Sequence, residues 1–440
     1  MDLSPALTIT PAPPTLVRAF LLRFGFAYAA LFMIPIVAGA AYGFEWAGKL
    51  IGKATEALVT WVAQSVLGIS YELIWGGGSG DKTVDWVWIL CCAVIALVVS
   101  VAWLAIDRRR AHDAKIRAAL RIIIRYSVAY TLLSYGISKL FIRQFPSPSG
   151  LRLLQPYGES SPMGLLWTFM GASPAYVFFS GAAETVGALL LLSRRTTTLG
   201  ALVLGVVLLN VVMMNFCYDV PVKINSAHYL AMCVYLMTPD ISALLRFLVL
   251  RRPAQPCIED QVITRRWMRV ARLVLKYGFS GLLIFTKLHH NAFARASEAP
   301  DAWYDGTWQV TAFQRNGQAV PATPSEVTRW HRVRFQVSGE TRYVRWRFMD
   351  GKAADLYTVA VDDKAQTMSF TRERSDGDHK ATEPTGPLVL HYVRGDATHL
   401  TLDGKLGGDA LVIQLERFDP DATLLMSRGF HWINENPFNR

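Results

Sequence analysis

The chain is built from apolar runs long enough to cross a bilayer, and these runs stop near residue 288. A spanning helix needs about 20 mostly apolar residues. About seven such runs are readable, at roughly 20–42, 84–106, 117–142, 173–193, 197–216, 226–248 and 267–287. The third and sixth are interrupted by polar residues. Backbone polar groups inside a bilayer must be satisfied within the segment, so runs of this kind fold as helices. Of 440 residues, 52% are hydrophobic and 18% charged, which excludes an ordinary soluble protein. The net charge of +11 does not point to nucleic acid, because Lys and Arg gather in short loops between the runs. That is the bias of cytoplasmic loops.

Loop charge predicts the orientation. Arg108, Arg109, Arg110, Lys115 and Arg117 follow the second run, Arg194 and Arg195 the fourth, and Arg251, Arg252, Arg265, Arg266 and Arg269 the sixth. The intervening loops are poorer in basic residues and hold Glu45, Glu56, Glu72, Asp81, Glu159 and Asp219. The N-terminus is thus expected in the cytoplasm, and an odd number of spans carries residues 288–440 outside. The composition suits a multi-pass protein of a bacterial inner membrane with a periplasmic C-terminal domain. The first run, Phe24–Tyr42, exceeds a signal-peptide core and is read as a retained span, with cleavage after Ala38-Gly39-Ala40 as the alternative. Phe44–Val66 reads as an external amphipathic helix with Trp46 and Trp61 at the interface. Thr238-Pro239-Asp240 reads as a helix break followed by a short helix, Ile241–Leu250. The five cysteines include no CxxC, which argues against a dithiol redox centre.

Beyond the last run the pattern changes to alternation. Strands are predicted from Gly306, at 332–337, 342–348, 355–361, 366–371, 387–393, 398–402 and 410–417. Turns fall at Asn316-Gly317, Ser338-Gly339, Asp350-Gly351, Asp362-Asp363 and Asp403-Gly404. About eight short strands joined by tight turns form an up-and-down barrel or a sandwich. Gly306-Thr307-Trp308 at the first strand resembles lipocalin-like domains. The aromatic tail Arg428–Arg440 is expected to pack on this domain or on the membrane domain.

Polar residues inside the spans mark the chemistry. Glu184 lies in the apolar run Tyr176–Leu192, between Gly181 and Gly187. An ionisable group at membrane depth costs roughly 3 kcal/mol on insertion scales and needs a partner or a purpose. Counting roughly 1.5 Å per residue, Arg125 on the third run reaches a similar depth, so an Arg125–Glu184 pair is predicted, with Arg121 as the alternate partner. The pair either fixes helix packing or handles a proton or a head group. A second group is expected nearer the external end: Lys139, Tyr135, Asn215, Asp219, Lys223 and His228. These residues could bind a quinone carbonyl, a carboxylate or a phosphate, or could be snorkelling and capping residues. No metal-ligand spacing, phosphate loop or nucleophile elbow is present in the sequence.

The order of these motifs resembles the DoxX family over residues 117–250. The likeness rests on Tyr135-Gly136-Ile137-Ser138-Lys139, Gly181-Ala182-Ala183-Glu184-Thr185-Val186-Gly187, Arg194-Arg195-Thr196, Leu199-Gly200, Asp219-Val220-Pro221-Val222-Lys223 and Pro239-Asp240. The resemblance implies a four-helix membrane bundle and a tie to membrane redox work with quinones. It divides the chain into residues 1–115, an N-terminal membrane region; 116–250, the DoxX-like bundle; 251–290, a basic cytoplasmic linker and seventh span; and 291–440, an extracytoplasmic β domain. The expected function is binding of a quinone or similar isoprenoid lipid in support of redox chemistry with a partner protein, with Glu184 and Arg125 as the catalytic pair. The alternative is a non-enzymatic membrane scaffold whose β domain binds a partner protein or a lipophilic ligand.

Overall fold

Helices occupy the N-terminal part of the chain and strands the C-terminal part. The computed structural model describes residues 15–40, 45–107, 112–255, 302–338, 340–373 and 388–433, with helical positions at 267, 270, 273, 274, 277, 278, 281, 282 and 284–289. The helices are α1 (Leu16–Ala40), α2 (Glu45–Trp61), α3 (Thr83–Ile106), α4 (Asp113–Leu140), α5 (Gly150–Leu153), α6 (Pro162–Gly171), α7 (Pro174–Leu191), α8 (Thr197–Cys217), α9 (Lys223–Met237) and α10 (Ile241–Leu248). A 3₁₀ turn, Thr238–Asp240, joins α9 to α10 at the predicted break. The predicted amphipathic helix is α2 with a π-helical turn, Val62–Val66; it buries Val59 and Ala63 against Val84 and Val87 of α3 and leaves Trp46 and Trp61 exposed.

Among the described residues, five segments are long and apolar enough to cross a membrane: Leu16–Ile34, Thr83–Ile106, Pro174–Leu191, Arg194–Cys217 and Lys223–Leu248. Their apolar residues face outward as well as inward. On α3, Trp86, Leu90, Val94, Val98 and Val101 are exposed. Water would penalise so large an exposed apolar surface, and lipid would not. Helix α4 reverses the pattern. It is 28 residues long, and Asp113, Arg125, Thr131 and Lys139 are buried on it beside Leu120, Val128, Leu132 and Ile137. Its polar side chains lower its apolarity because they serve the interior.

Two compact units result. One comprises Met1–Leu140 with Phe178–Lys287, the other Phe141–Val177 with Leu288–Arg440. Segment 141–177, which the sequence places inside the DoxX-like bundle of 116–250, thus folds with the β domain.

That domain is an eight-stranded antiparallel barrel. Its strands are β1 (Gly306–Arg315), β2 (Gln318–Ala319), β3 (Trp330–Ser338), β4 (Thr341–Phe348), β5 (Tyr357–Asp362), β6 (Thr367–Arg372), β7 (Leu388–Arg394), β8 (His399–Leu406) and β9 (Asp409–Arg417). Neighbours pair in chain order and β9 closes on β1, while the two-residue β2 hangs outside the ring on the end of β1. Closure removes the exposed edges that a sandwich would keep. The interior is packed rather than hollow. Trp330 stacks on Trp346 at 4.3 Å between centroids, and Trp346 on Tyr357 at 4.6 Å. Trp308 of the Gly-Thr-Trp signature donates its indole N–H to the Tyr304 carbonyl at 2.8 Å.

Two expectations need correction. Asp403-Gly404 is not a turn: both residues pair within β8, opposite Val412 and Leu411, and the chain reverses at Gly407-Gly408, both with positive φ. A Cβ on Gly404 would lie 2.8 Å from Leu390 Cδ2, so this glycine serves close packing within the sheet. The described part of the aromatic tail does not pack into a core, for Phe430, Trp432 and Ile433 are all exposed. Residues 434–440 lie outside the described residues.

Small residues set the helix spacing in the bundle. A Cβ on Gly200 of α8 would lie 2.9 Å from the Gly187 carbonyl oxygen and from the Leu191 nitrogen of α7. Those are backbone atoms and cannot swing aside. Gly200→Leu is therefore expected to cost about 1–3 kcal/mol, seen as a lower melting temperature of the detergent-solubilised protein. An unchanged melting temperature would contradict this packing.

Candidate functional site

Helices α4 and α7 cross antiparallel on glycines. A Cβ on Gly181 would come within 2.7 Å of Lys139 Cβ and 2.8 Å of the Gly136 carbonyl oxygen. A Cβ on Gly136 would come within 2.9 Å of the Gly181 carbonyl oxygen and of the Thr185 nitrogen. Only backbones stripped of side chains approach this closely.

At this crossing Lys139 Nζ donates to both oxygens of Glu184, at 2.8 Å to Oε1 and 2.6 Å to Oε2. Lys139 is 5% exposed and Glu184 2%. The Lys139 ammonium also lies 5.7 Å from the ring centroid of Tyr135, one turn back on α4. Tyr135 is 41% exposed, so this polar neighbour of the pair opens to the surroundings of the bundle.

The predicted partner of Glu184 was Arg125 or Arg121, and this is corrected: both carboxylate oxygens are taken by Lys139. The reason is the direction of side chains, which depth counting ignores. Side chains lean toward the N-terminus of their helix. Lys139 therefore leans back along α4, and Glu184 leans back along the antiparallel α7, so the two converge on the crossing. Arg125, roughly 21 Å further along α4, leans away from it. Arg125 is buried, with its guanidinium carbon 5.0 Å from the Tyr126 ring centroid. Arg121 donates to the Leu236 carbonyl at 3.2 Å.

The rest of the predicted external group separates into other contacts. Asp219, with φ of 51°, holds Lys223 Nζ at 2.8 Å. Asp81 accepts from the backbone N–H groups of Lys223 at 2.8 Å and Ile224 at 2.9 Å, so it caps α9 from a distant loop. Buried Asn215 donates to Ser226 Oγ at 3.0 Å. His228 Nδ1 lies 2.7 Å from the Ile224 carbonyl and its Nε2 lies 2.7 Å from the Tyr28 hydroxyl. A carbonyl only accepts, so Nδ1 donates and Nε2 accepts from Tyr28. The imidazole also stacks on Phe32 at 4.4 Å. These residues cap helices and join α1 and α8 to α9.

Three polar groups escape sequence reasoning. Asp81 and Tyr28 act across 142 and 200 positions, with no local signal. Arg23, fully buried, binds Asp107 at 2.9 Å and Asp113 at 2.8 Å. The signal for this last cluster was available: two aspartates bracket an arginine-rich loop, while Arg23 stands at the start of the first apolar run.

Removing one member of the central pair strands the other charge in an apolar bundle. Lys139→Ala is expected to cost about 3–5 kcal/mol, and the apolar double variant Lys139→Met/Glu184→Met to recover most of it. Thermal unfolding of the three proteins in one detergent checks this. Equal melting of Lys139→Ala and the wild type would contradict a buried pair.

No protein-family model matches the chain, and no solved structure does. One curated protein is similar to it: Uncharacterized protein YwoB of Bacillus subtilis (strain 168), 31% identical over 128 residues. The match covers 79% of YwoB and 28% of this chain. Through that segment, the chain belongs to the family of YwoB.

Proposed function

We propose that the chain is a DoxX-like, multi-pass protein of a bacterial inner membrane that binds a quinone or similar isoprenoid lipid beside Lys139 and Glu184. The observation that carries this reading is the buried, doubly hydrogen-bonded ion pair at the α4–α7 crossing. A purely structural crossing of glycines has no need of two charges. The pair holds an ammonium and a carboxylate in a buried site, with Tyr135 beside it on the exposed side. A quinone head group needs a donor at its carbonyl and takes up two protons with two electrons on reduction to the quinol; Lys139 and Tyr135 can provide the donor, and the Lys139–Glu184 pair can relay protons that are replaced from solvent. The electrons come from a partner protein or cofactor outside this chain.

Seven spans, a cytoplasmic N-terminus and a periplasmic barrel complete the proposal. Chain parity supports it. Segment 141–177 and the barrel fold as one unit, so they stand on one side of any membrane the helices cross. An even number of crossings must separate them. Helix α7, helix α8 and the α9–α10 segment would make three, and the apolar run 267–287, part of which lies outside the described residues, would be the fourth. Lys287 near the end of that stretch lies 4.9 Å from the Tyr130 ring centroid of α4.

A scaffold is the second reading, favoured by a different observation. The barrel interior is filled by aromatic and aliphatic side chains, so its outer surface is the face offered to a partner, and the exposed Phe430, Trp432 and Ile433 supply an apolar contact.

The two readings separate on co-purification. Full-length protein is extracted in mild detergent, and bound small molecules are identified by mass spectrometry, in wild type and in the apolar Lys139→Met/Glu184→Met variant. Near-stoichiometric quinone in the wild type, lost in the folded variant, is the expected result. Bulk phospholipid alone, equal in both, would overturn the quinone reading in favour of the scaffold.

A further inference from the structure

The barrel carries positive charge where pairing rules disfavour it. The β3–β4 register sets Arg332 opposite Arg347 and Arg334 opposite Arg345. Val333, Phe335, Val344 and Trp346 fill the interior, so the four arginines share the outer face. Like charges directly opposite across two strands are destabilising, and guanidinium groups do not shed their charge. Among the described residues, none of the four forms a direct ion pair with a carboxylate. Arg332 Nη1 donates to the Leu154 carbonyl at 2.6 Å, Arg334 Nε to Gln336 Oε1 at 3.2 Å and Arg347 Nη1 to the Gly351 carbonyl at 3.4 Å. Burial disfavours the Arg332 guanidinium charge, and Arg347 disfavours it further, while Glu159 partly offsets both.

Segment 149–161 roofs this face. Gly150 sits so close to Thr307 of β1 that a Cβ there would lie 2.7 Å from the Thr307 side chain. Beneath the roof is a pocket of about 330 Å³, lined by Ser149, Arg152, Gln155, Glu159, Ser161 and Arg347 besides one leucine. Arg152 Nη1 donates to Gln155 Oε1 at 2.9 Å, again a neutral partner. Ser149 and Ser161 accept from the backbone N–H groups of Arg152 and Gly164, so each hydroxyl retains its own proton to donate.

We propose that this pocket binds a phosphate group. Two guanidiniums and two hydroxyls on an ordered roof and a rigid barrel wall suit a small anion with several acceptor oxygens. The lining carries two arginines against one carboxylate, Glu159, and Arg332 stands beside it, so a bound anion relieves the repulsion between Arg332 and Arg347. The volume admits a phosphate with a few attached atoms, such as a phosphate ester or the head group of a phospholipid. The site is independent of the quinone reading, since it lies wholly within the unit of the barrel and segment 141–177.

Calorimetric titration of full-length protein in non-ionic detergent and phosphate-free buffer tests this, with inorganic phosphate, glycerol 3-phosphate and water-soluble short-chain phosphatidylglycerol as probes. The wild type is expected to bind phosphate, and Arg152→Gln/Arg347→Gln to bind it at least tenfold more weakly. Arg345→Gln, outside the pocket, should stay within twofold of wild type. Should the double variant fail to fold, the single Arg347→Gln is expected to weaken binding at least fivefold. Short-chain phosphatidylglycerol binding tighter than phosphate assigns the site to a lipid head group; equal or weaker binding assigns it to a soluble phosphate. No binding of any probe by the wild type, or binding unchanged in the arginine variants, overturns the proposal.

Discussion

The ion pair between Lys139 and Glu184 sets the terms for the helical unit. Each charge alone would be expensive in an apolar bundle. Together they are tolerable only if the two helices come close enough for direct contact, and Gly136 and Gly181 let them do so. The same glycine logic recurs between α7 and α8 at Gly187 and Gly200. Helix α7 is thus held on two sides by backbone-to-backbone contact, with its one carboxylate fixed at the first of them. That arrangement explains why α4, too polar to pass as a simple lipid-facing span, belongs within the unit: Asp113, Arg125 and Lys139 are turned inward.

The second unit obeys a different rule. A closed barrel filled with its own aromatic and aliphatic side chains leaves its polar chemistry outside, where β3 and β4 meet the 149–161 roof. The chain therefore separates two kinds of polar site. One is dry, paired and neutral overall; the other is open, cationic and short of carboxylates. Function on the proposed account depends on the first, while the second gives the β domain a separate capacity for anions.

Much of the fold was legible in the sequence. Apolar runs marked the helices of the first unit to within a few residues, and strict alternation such as Arg332–Val337 marked the strands, because burial on one face leaves a period that no turn residue can hide. Eight predicted strands became the eight members of the ring. What could not be read were relations set by three-dimensional direction and distance. Glu184 and Lys139 were both singled out, yet their pairing depends on side chains leaning toward opposite helix ends, which a count of rise per residue does not contain. Asp81 capping α9 and Tyr28 bonding His228 join residues far apart in the chain, with nothing local to announce them. Asp403-Gly404 had the composition of a turn and the environment of a strand, and packing against Leu390 decided it. Segment 141–177 looked like an ordinary loop between two spans, and its attachment to the barrel rests on Gly150 and Leu154, neither of which carries a motif.

The central claim is that a bound head group contacts the Lys139–Glu184 pair and changes its protonation when reduced. Infrared difference spectroscopy addresses it directly: full-length protein in nanodiscs is loaded with a ubiquinone analogue, which is then reduced electrochemically. The account predicts a change in a glutamate carboxyl band that accompanies the quinone bands and vanishes in Glu184→Gln. Quinone bands with no carboxyl change in the wild type, or an identical spectrum in Glu184→Gln, would contradict it.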